Sequence, residues 1–345
     1  MVFPNENDYK KQLTICDIAS KAGVSISTVS RVINDSGLIG KKTTLKVQKI
    51  IEEMCYIPNE MARGLLRKAS KTVGLIVPDL SNPFFVEFIK SVEEVVSRNG
   101  YILSLCNSNL NHDKEKQYIQ QLAEKRADGI IFISTFVKNP EIILRLRDQI
   151  AIVAVQTEIE GIDCIETTDY LGIIEGVQHL IDLGHKKIGF IYWGPEVKAT
   201  QNRYKAFEHA LIKNGIEVKE EYIIAGGFTG ESGYFMTKKL LELPDPPTAI
   251  QAGNDSFAFG AYLAIMESGL KIPDDISIVG FDNIMMANIS NPPLTTVSQP
   301  IYTMGQEAAE LLIQNISQGP KEVNKKIVLP TKLIVRGSTA PPKGE

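Results

Sequence analysis

Residues 14–34, TICDIASKAGVSISTVSRVIN, decide the N-terminal fold and direct the reading of all that follows. Ile15, Ile18, Ala19 and Ala22 recur at helical spacing and give a first helix one apolar face. Thr14 precedes that face as an N-cap, with Asp17 three residues on in the capping-box position. Gly23 then breaks the helix where a sharp turn needs a left-handed backbone. Ser25 caps a second short helix that buries Val29, Val32 and Ile33. Its other side carries Ile26, Ser27, Thr28, Ser30, Arg31 and Asn34. That surface suits a major groove. Hydroxyls and helix N-terminal amides hold phosphates, Ile26 can meet a thymine methyl, and Arg31 can fork onto a guanine. Two short helices about a glycine turn are a helix-turn-helix, the second being the recognition helix. A helical hairpin in any small core shares the pattern.

Three stretches widen the reading: VSISTVSRVIN at 24–34, YIPNEMARGLL at 56–66 and VGLIVPDLSNPFF at 73–85. In this order and spacing the chain resembles the lactose-repressor family of bacterial transcriptional regulators, from about Leu13 to Ser338. The resemblance implies a DNA-binding headpiece, a hinge helix, and a ligand-sensing core built like a periplasmic sugar-binding protein. It also implies a homodimer that binds a pseudo-palindromic double-stranded DNA operator.

Charge supports the same division. Residues 1–70 hold eleven Lys/Arg and seven Asp/Glu, a surplus of +4, which leaves −8 for the remainder of a chain whose net charge is −4. A basic head on an acidic body fits a phosphate-bearing partner at one end. Cys16, Cys55, Cys106 and Cys164 are scattered, none in a CxxC pair. Each falls in an apolar run and reads as a small core residue, so neither a disulfide framework nor a zinc site is expected. With no secretion signal and no run of membrane-spanning length, the expected location is the cytoplasm. No cofactor is expected.

Residues 1–12 read as a disordered leader and 13–58 as the headpiece, closed by a third helix marked by Val47, Ile50, Ile51 and Met54. That helix starts with Gly40, Lys41 and Lys42 where the family has Ser-Glu-Glu. Lysines there oppose the macrodipole at about 0.3–1 kcal/mol each. Contact with DNA phosphate would offset that; solvated lysines are the alternative. Residues 59–71 read as hinge helix and linker. Met61, Ala62, Leu65 and Leu66 form an apolar side, but the segment is short and Gly64 costs about 1 kcal/mol more. The resemblance implies folding on the DNA minor groove, with Arg63 in contact and Leu65 as a wedge that unstacks a base step.

From Thr72 strand and helix patterns alternate, which predicts an α/β core of two Rossmann-like lobes with parallel sheets over 72–340. The expected lobe boundaries lie near His179, Gln299 and Pro330, giving about 72–179 with 299–329, and 180–298 with 330–340. Ligands of such sheets bind beyond the strands' carboxyl ends. The residues there include Phe84, Phe85, Gln156, Trp193, Phe228, Asn254, Asp255 and Asp282, with Arg203 opening a helix of the second lobe. Amides, carboxylates, one guanidinium and aromatic faces suit a polyol and would also accept a purine. The resemblance supports Phe84, Gln156, Arg203, Phe228, Asn254 and Asp282 as effector contacts. Phe85 and Trp193 fit core as well as pocket, Asp255 reads as a helix cap, and an Asp282–Arg203 structural pair remains open.

No P-loop, metal motif or marked nucleophile occurs, so an enzyme is not expected. The leading reading is a ligand-responsive repressor of a sugar-utilisation operon, its effector a sugar or sugar phosphate. The alternatives are a catabolite-control regulator that uses a phosphorylated carrier protein as co-repressor, and a sugar-binding transport receptor.

Overall fold

The computed structural model describes residues 13–35, 37–56, 70–133, 140–194, 198–319 and 324–343, with the side chains of residues 198 and 199 also set aside. The leader and most of the hinge segment, including Arg63 and Leu65, lie outside the described residues. The chain divides into two compact units, residues 1–70 and 71–345.

In the first unit, three helices, α1 (Ile15–Ala22), α2 (Ile26–Ile33) and α3 (Lys41–Glu53), enclose one small core of Ile18, Ala19, Ala22, Val29, Val32, Val47 and Ile50. Asp17 holds the start of α1 by accepting from the Thr14 amide at 2.8 Å and the Thr14 hydroxyl at 2.7 Å. Gly23 ends it at φ +63, so that the amides of Gly23 and Val24 reach back to the carbonyls of Ser20 and Ala19. Ser25 caps α2 by accepting from the Thr28 amide at 3.1 Å. No acidic side chain stands in the first turn of α3, where Lys41 and Lys42 are exposed. The expectation of core cysteines needs correction. Cys16 and Cys55 are exposed on this small unit, Cys106 is half-buried, and only Cys164 is buried. A headpiece core of seven side chains has no room behind α1 for Cys16, which lies off its apolar stripe.

The second unit holds two six-stranded sheets. The first contains β1 (Thr72–Val77), β2 (Ile102–Asn107), β3 (Gly129–Ile133), β4 (Ala151–Val155), β5 (Asp163–Thr167) and β11 (Lys326–Leu329), all parallel, in the order β11-β5-β4-β3-β1-β2. The second contains β6 (Ile188–Trp193), β7 (Ile223–Gly226), β8 (Ala249–Ala252), β9 (Ser277–Asp282), β10 (Thr295–Ser298) and β12 (Lys332–Ile334), in the order β12-β10-β9-β8-β6-β7. Here β12 alone runs antiparallel. Strand order reverses between β1 and β3 and again between β6 and β8, which opens a crevice at the strand ends of each lobe.

Helices α4 (Pro83–Arg98), α5 (His112–Glu124) and α6 (Glu141–Leu146) fill the first lobe. Helix α7 (Asp169–Asp182) follows β5 and corrects the boundary expected near His179. Its Ile173, Val177 and Leu180 pack with Phe190, Phe207 and Phe281 of the second lobe. The chain therefore crosses at Thr167–Asp169, a whole helix earlier, because the apolar face of α7 is buried against the second sheet. Helices α8 (Lys198–Lys213), α9 (Gly230–Leu241), α10 (Asp255–Glu267) and α11 (Met285–Ile289) complete that lobe. The chain then passes from β10 through Gln299 into α12 (Ile301–Gln318), whose Met304, Ala308, Ala309 and Leu312 join the first lobe's core. A third passage runs from Leu329 to Lys332. Thr168 and Thr331 tie the first and third passages, the Thr331 amide donating to the Thr168 hydroxyl at 2.9 Å. No helix among the described residues is long and apolar enough to cross a membrane.

Candidate functional site

On the headpiece, α2 turns Val29 and Val32 inward and leaves Ile33 half-buried. Ser25, Ile26, Ser27 and Arg31 are exposed, with Thr28, Ser30 and Asn34 half-exposed beside them. Ile26 keeps 49% of its surface in water, an apolar side chain with no place in the headpiece core. The Ser25 hydroxyl lies 2.8 Å from those of both Ser27 and Thr28, so three hydroxyls gather at the start of the helix. Thr14 is exposed too, but its hydroxyl is engaged with Asp17. The α2 face thus combines hydroxyls, a β-branched alkyl group and a guanidinium, which are donors and apolar contacts for a polyanion with base edges.

The second unit holds a cleft of about 600 Å³, counting space open to solvent, between its two sheets. Phe84, Gln156, Arg203, Phe228, Asn254 and Asp282 all line it, although they span about 200 positions of sequence. All but Arg203 enter from beyond a strand end or from a helix start. Asn82 caps α4 by accepting from the Phe84 amide at 3.0 Å, which sets Phe84 at the rim of β1. Asn254, not Asp255, caps α10, accepting from the Phe257 amide at 2.8 Å. Asp255 stands one residue inside the helix. Its carboxylate accepts instead from the Thr296 hydroxyl at 2.6 Å and the Ile284 amide at 2.9 Å, which corrects its reading as the cap. Phe85 and Trp193 line the cleft as well, and Phe85 also belongs to the first lobe's core. The Trp193 and Phe228 ring centroids are 4.3 Å apart, an apolar wall facing the polar groups.

Arg203 sits in the second turn of α8 rather than at its start. The open question of its pairing with Asp282 is answered by Asp169 at the start of α7. Arg203 donates to Asp169 Oδ2 from Nε at 2.9 Å and from Nη2 at 2.6 Å, and from Nη1 to the Gly253 carbonyl at 2.7 Å. Its guanidinium carbon lies 3.9 Å from the centroid of the Phe281 ring. Three of its five N–H groups are thereby spent on the protein, and the guanidinium plane is fixed.

Asp282 is bonded to the chain passage instead. Gln299 donates from Nε2 to Asp282 Oδ1 at 2.7 Å and accepts on Oε1 from Gln156 Nε2 at 2.8 Å. The Thr167 hydroxyl lies within reach of both Gln299 Oε1 and Asp169 Oδ1 and can donate to one at a time. A polar chain therefore runs from Gln156 through Gln299 to Asp282, with Thr167 linking it to the Asp169–Arg203 pair. It spans two of the three passages between lobes. Burial pushes the Asp282 carboxyl well above the usual carboxylate range, and the nearby Arg203 charge draws it back only in part. Gln156 at φ +56 and Asp282 at φ +117 hold backbone conformations that side-chain-bearing residues rarely adopt, at about 1–3 kcal/mol each.

Sequence reading missed Asp169 and Thr167, and it placed Gln299 only as a boundary. Asp169 and Arg203 are 34 residues apart with no motif to join them. A polar Thr-Thr-Asp opening the apolar stripe of a helix was the signal available.

Known proteins share this fold. Residues 14–59 match the profile of bacterial regulatory proteins of the lacI family, and residues 177–339 match a periplasmic binding protein-like domain. The HTH-type transcriptional regulator DegA of Bacillus subtilis (strain 168) is 39% identical, over 95% of this chain and 98% of its own. A lacI-family transcriptional regulator from Enterococcus faecium, solved with bound ribose, is 33% identical at a TM-score of 0.73, over 79% of this chain and 100% of its own. The lac repressor dimer bound to operator and the anti-inducer ONPF is 28% identical at a TM-score of 0.84, over 96% of this chain and 100% of its own.

Proposed function

The chain belongs to the lacI family of bacterial regulatory proteins, and from that premise we propose that it is a repressor whose hold on its operator is set by a small polyol in the core cleft. It is a DNA-binding transcriptional regulator. The observation that carries the effector reading is the convergence of Phe84, Gln156, Arg203, Phe228, Asn254 and Asp282 on one cleft crossed by the chain's own lobe passages. Vicinal hydroxyls suit Asp282 and the free N–H groups of Arg203, and a ring face suits Phe84, Trp193 and Phe228. The Enterococcus faecium relative was solved with bound ribose, which supports a sugar of that size here. The effector changes operator affinity through its unequal affinity for two lobe arrangements. A thermal-shift screen of neutral sugars, beginning with D-ribose and cellobiose, tests this. A ligand bound only by the folded core raises its melting temperature; no shift with any sugar of the panel removes the reading.

The operator reading rests on α2. Ser25, Ser27, Thr28 and Thr14 would hold phosphate, while Ile26, Ser30, Arg31 and Asn34 face the bases; Arg63 and Leu65 would act in the minor groove. Arg31→Ala is expected to cost about 1–3 kcal/mol of operator binding and to relax preference at one base pair. Gel-shift assays on a panel of single-base operator variants measure it; equal weakening on all of them would make Arg31 a phosphate contact. The same assays should weaken steeply with added salt, since the +4 head displaces counterions from phosphate. The regulator would act in the cytoplasm as a homodimer. Exposed Phe235, Leu263 and Met266 on α9 and α10, with Met285 and Ile289 on α11, offer apolar area for the partner copy.

A further inference from the structure

Three buried carboxyls meet one buried guanidinium on the second lobe's side of the cleft. Arg203 is taken up by Asp169. Asp255, 0% exposed, and Asp282, 4% exposed, then have no basic nitrogen within 4.0 Å among the described residues. A Cβ on Gly280 of β9 would stand 2.2 Å from Asp255 Oδ1, two residues before Asp282 at the end of the same strand. The charged groups facing the pair are Arg203 from α8, Asp169 from α7 and Arg336 beyond β12. Arg336 is itself engaged, donating to the Leu294 carbonyl and to Asn283 Oδ1 at 2.7 Å each. From β10 and the passage after it come only the neutral Thr296 and Gln299. Both oxygens of Asp255 accept hydrogen bonds from the protein, whereas Asp282 accepts from Gln299 on Oδ1, leaving Oδ2 for a ligand.

We propose that the Asp255–Asp282 pair holds one proton in the ligand-free cleft, and that an uncharged polyol donating two hydroxyls to Asp282 drives that proton off. This rests on the effector reading above. The ligand's O–H groups replace the missing cation, the Asp282 carboxylate accepts from them, and the proton passes to the buffer. Burial raises the Asp255 carboxyl to about 7 and Asp282 well above its ordinary range, the latter helped by the negative charges of Asp255 and Asp169, so the pair keeps a proton at pH values where an exposed carboxyl has lost it. The site also becomes selective: a phosphate ester would bring further negative charge to an uncompensated carboxyl.

Calorimetry of the full-length protein with D-ribose, or whichever neutral sugar raises its melting point, tests this at pH 6.5 in phosphate and in Tris. The measured heats should differ by the ionisation heats of the buffers, in proportion to about one proton released. Affinity should rise with pH, up to tenfold per unit, and level off once the pair has lost its proton. Equal heats in both buffers with an affinity flat across pH would overturn the proposal. Asp255→Asn, outside the cleft lining, should move the rise to lower pH. A second readout needs no ligand. A carboxyl whose folded pKa is raised binds more protons folded than unfolded between about pH 4 and 7, so the wild type should lose melting temperature over that window relative to Asp255→Asn. Parallel melting curves would also overturn it. If no sugar of the panel gives heat, the effector reading and the ligand half of this proposal fail together, and the ligand-free curves still decide whether the pair holds a proton.

Discussion

Asp169→Ala should destabilise the core by about 3–5 kcal/mol, the cost of leaving a buried guanidinium without its carboxylate. Asp169 and Arg203 side chains keep 9–11% of their surface, and Asp169 Oδ2 accepts two of the three Arg203 hydrogen bonds. Denaturant melts of the core read the loss. Arg203→Met together with Asp169→Leu, which removes both charges and keeps the volume, should recover much of it, because isosteric apolar replacement of a buried pair is often neutral. Both variants should lose effector response, since the guanidinium is gone or no longer aimed. A fall of less than about 1 kcal/mol in Asp169→Ala would mean that water already reaches Arg203 and that its orientation is not fixed by this pair.

The second large effect is on binding. Asp282→Asn keeps the shape of the side chain but gives up charge-assisted hydrogen bonds to ligand hydroxyls. It should lose about 2–3 kcal/mol of effector affinity, or roughly 30–150-fold. Calorimetry on the sugar found by thermal shift measures it. Wild-type affinity in Asp282→Asn would show that the ligand's hydroxyls meet other groups. Because Asp282 also accepts from Gln299, the variant's amide must be turned with Oδ1 toward Gln299 Nε2, which points its NH₂ into the cleft and sharpens the mismatch with hydroxyl donors.

Much of the architecture is written in local pattern. Val73, Gly74, Leu75, Ile76 and Val77 announce a strand buried on both faces, and Gly23 with Ser25 announces the headpiece turn, because each feature is satisfied by near neighbours. Strands β5 and β10 carry no such local pattern. Asp163–Thr167 and Thr295–Ser298 are short and polar, and they are held by partners far away: Asp163 accepts from Asn315 at 2.7 Å and Thr296 donates to Asp255. The misplaced boundary at His179 has a similar cause. The apolar stripe of α7 says that the helix is buried; only the packing of Ile173 and Val177 on Phe190 and Phe207 says against which sheet. The cleft residues were legible because strand ends face it by topology, whereas Asp169 and Gln299 came to the site by crossing between lobes.

On the function proposed above, the cleft, and Asp282 within it, governs DNA binding without touching DNA. Operator affinity measured with and without saturating sugar, for wild type and Asp282→Asn, decides this. Both proteins should bind operator equally without sugar, the wild type should shift by about tenfold or more when sugar is added, in line with coupling free energies of about 1–3 kcal/mol, and Asp282→Asn should shift only at much higher sugar concentrations. A wild-type operator affinity that no bound sugar alters, or a response in Asp282→Asn at the wild-type sugar concentration, would contradict it.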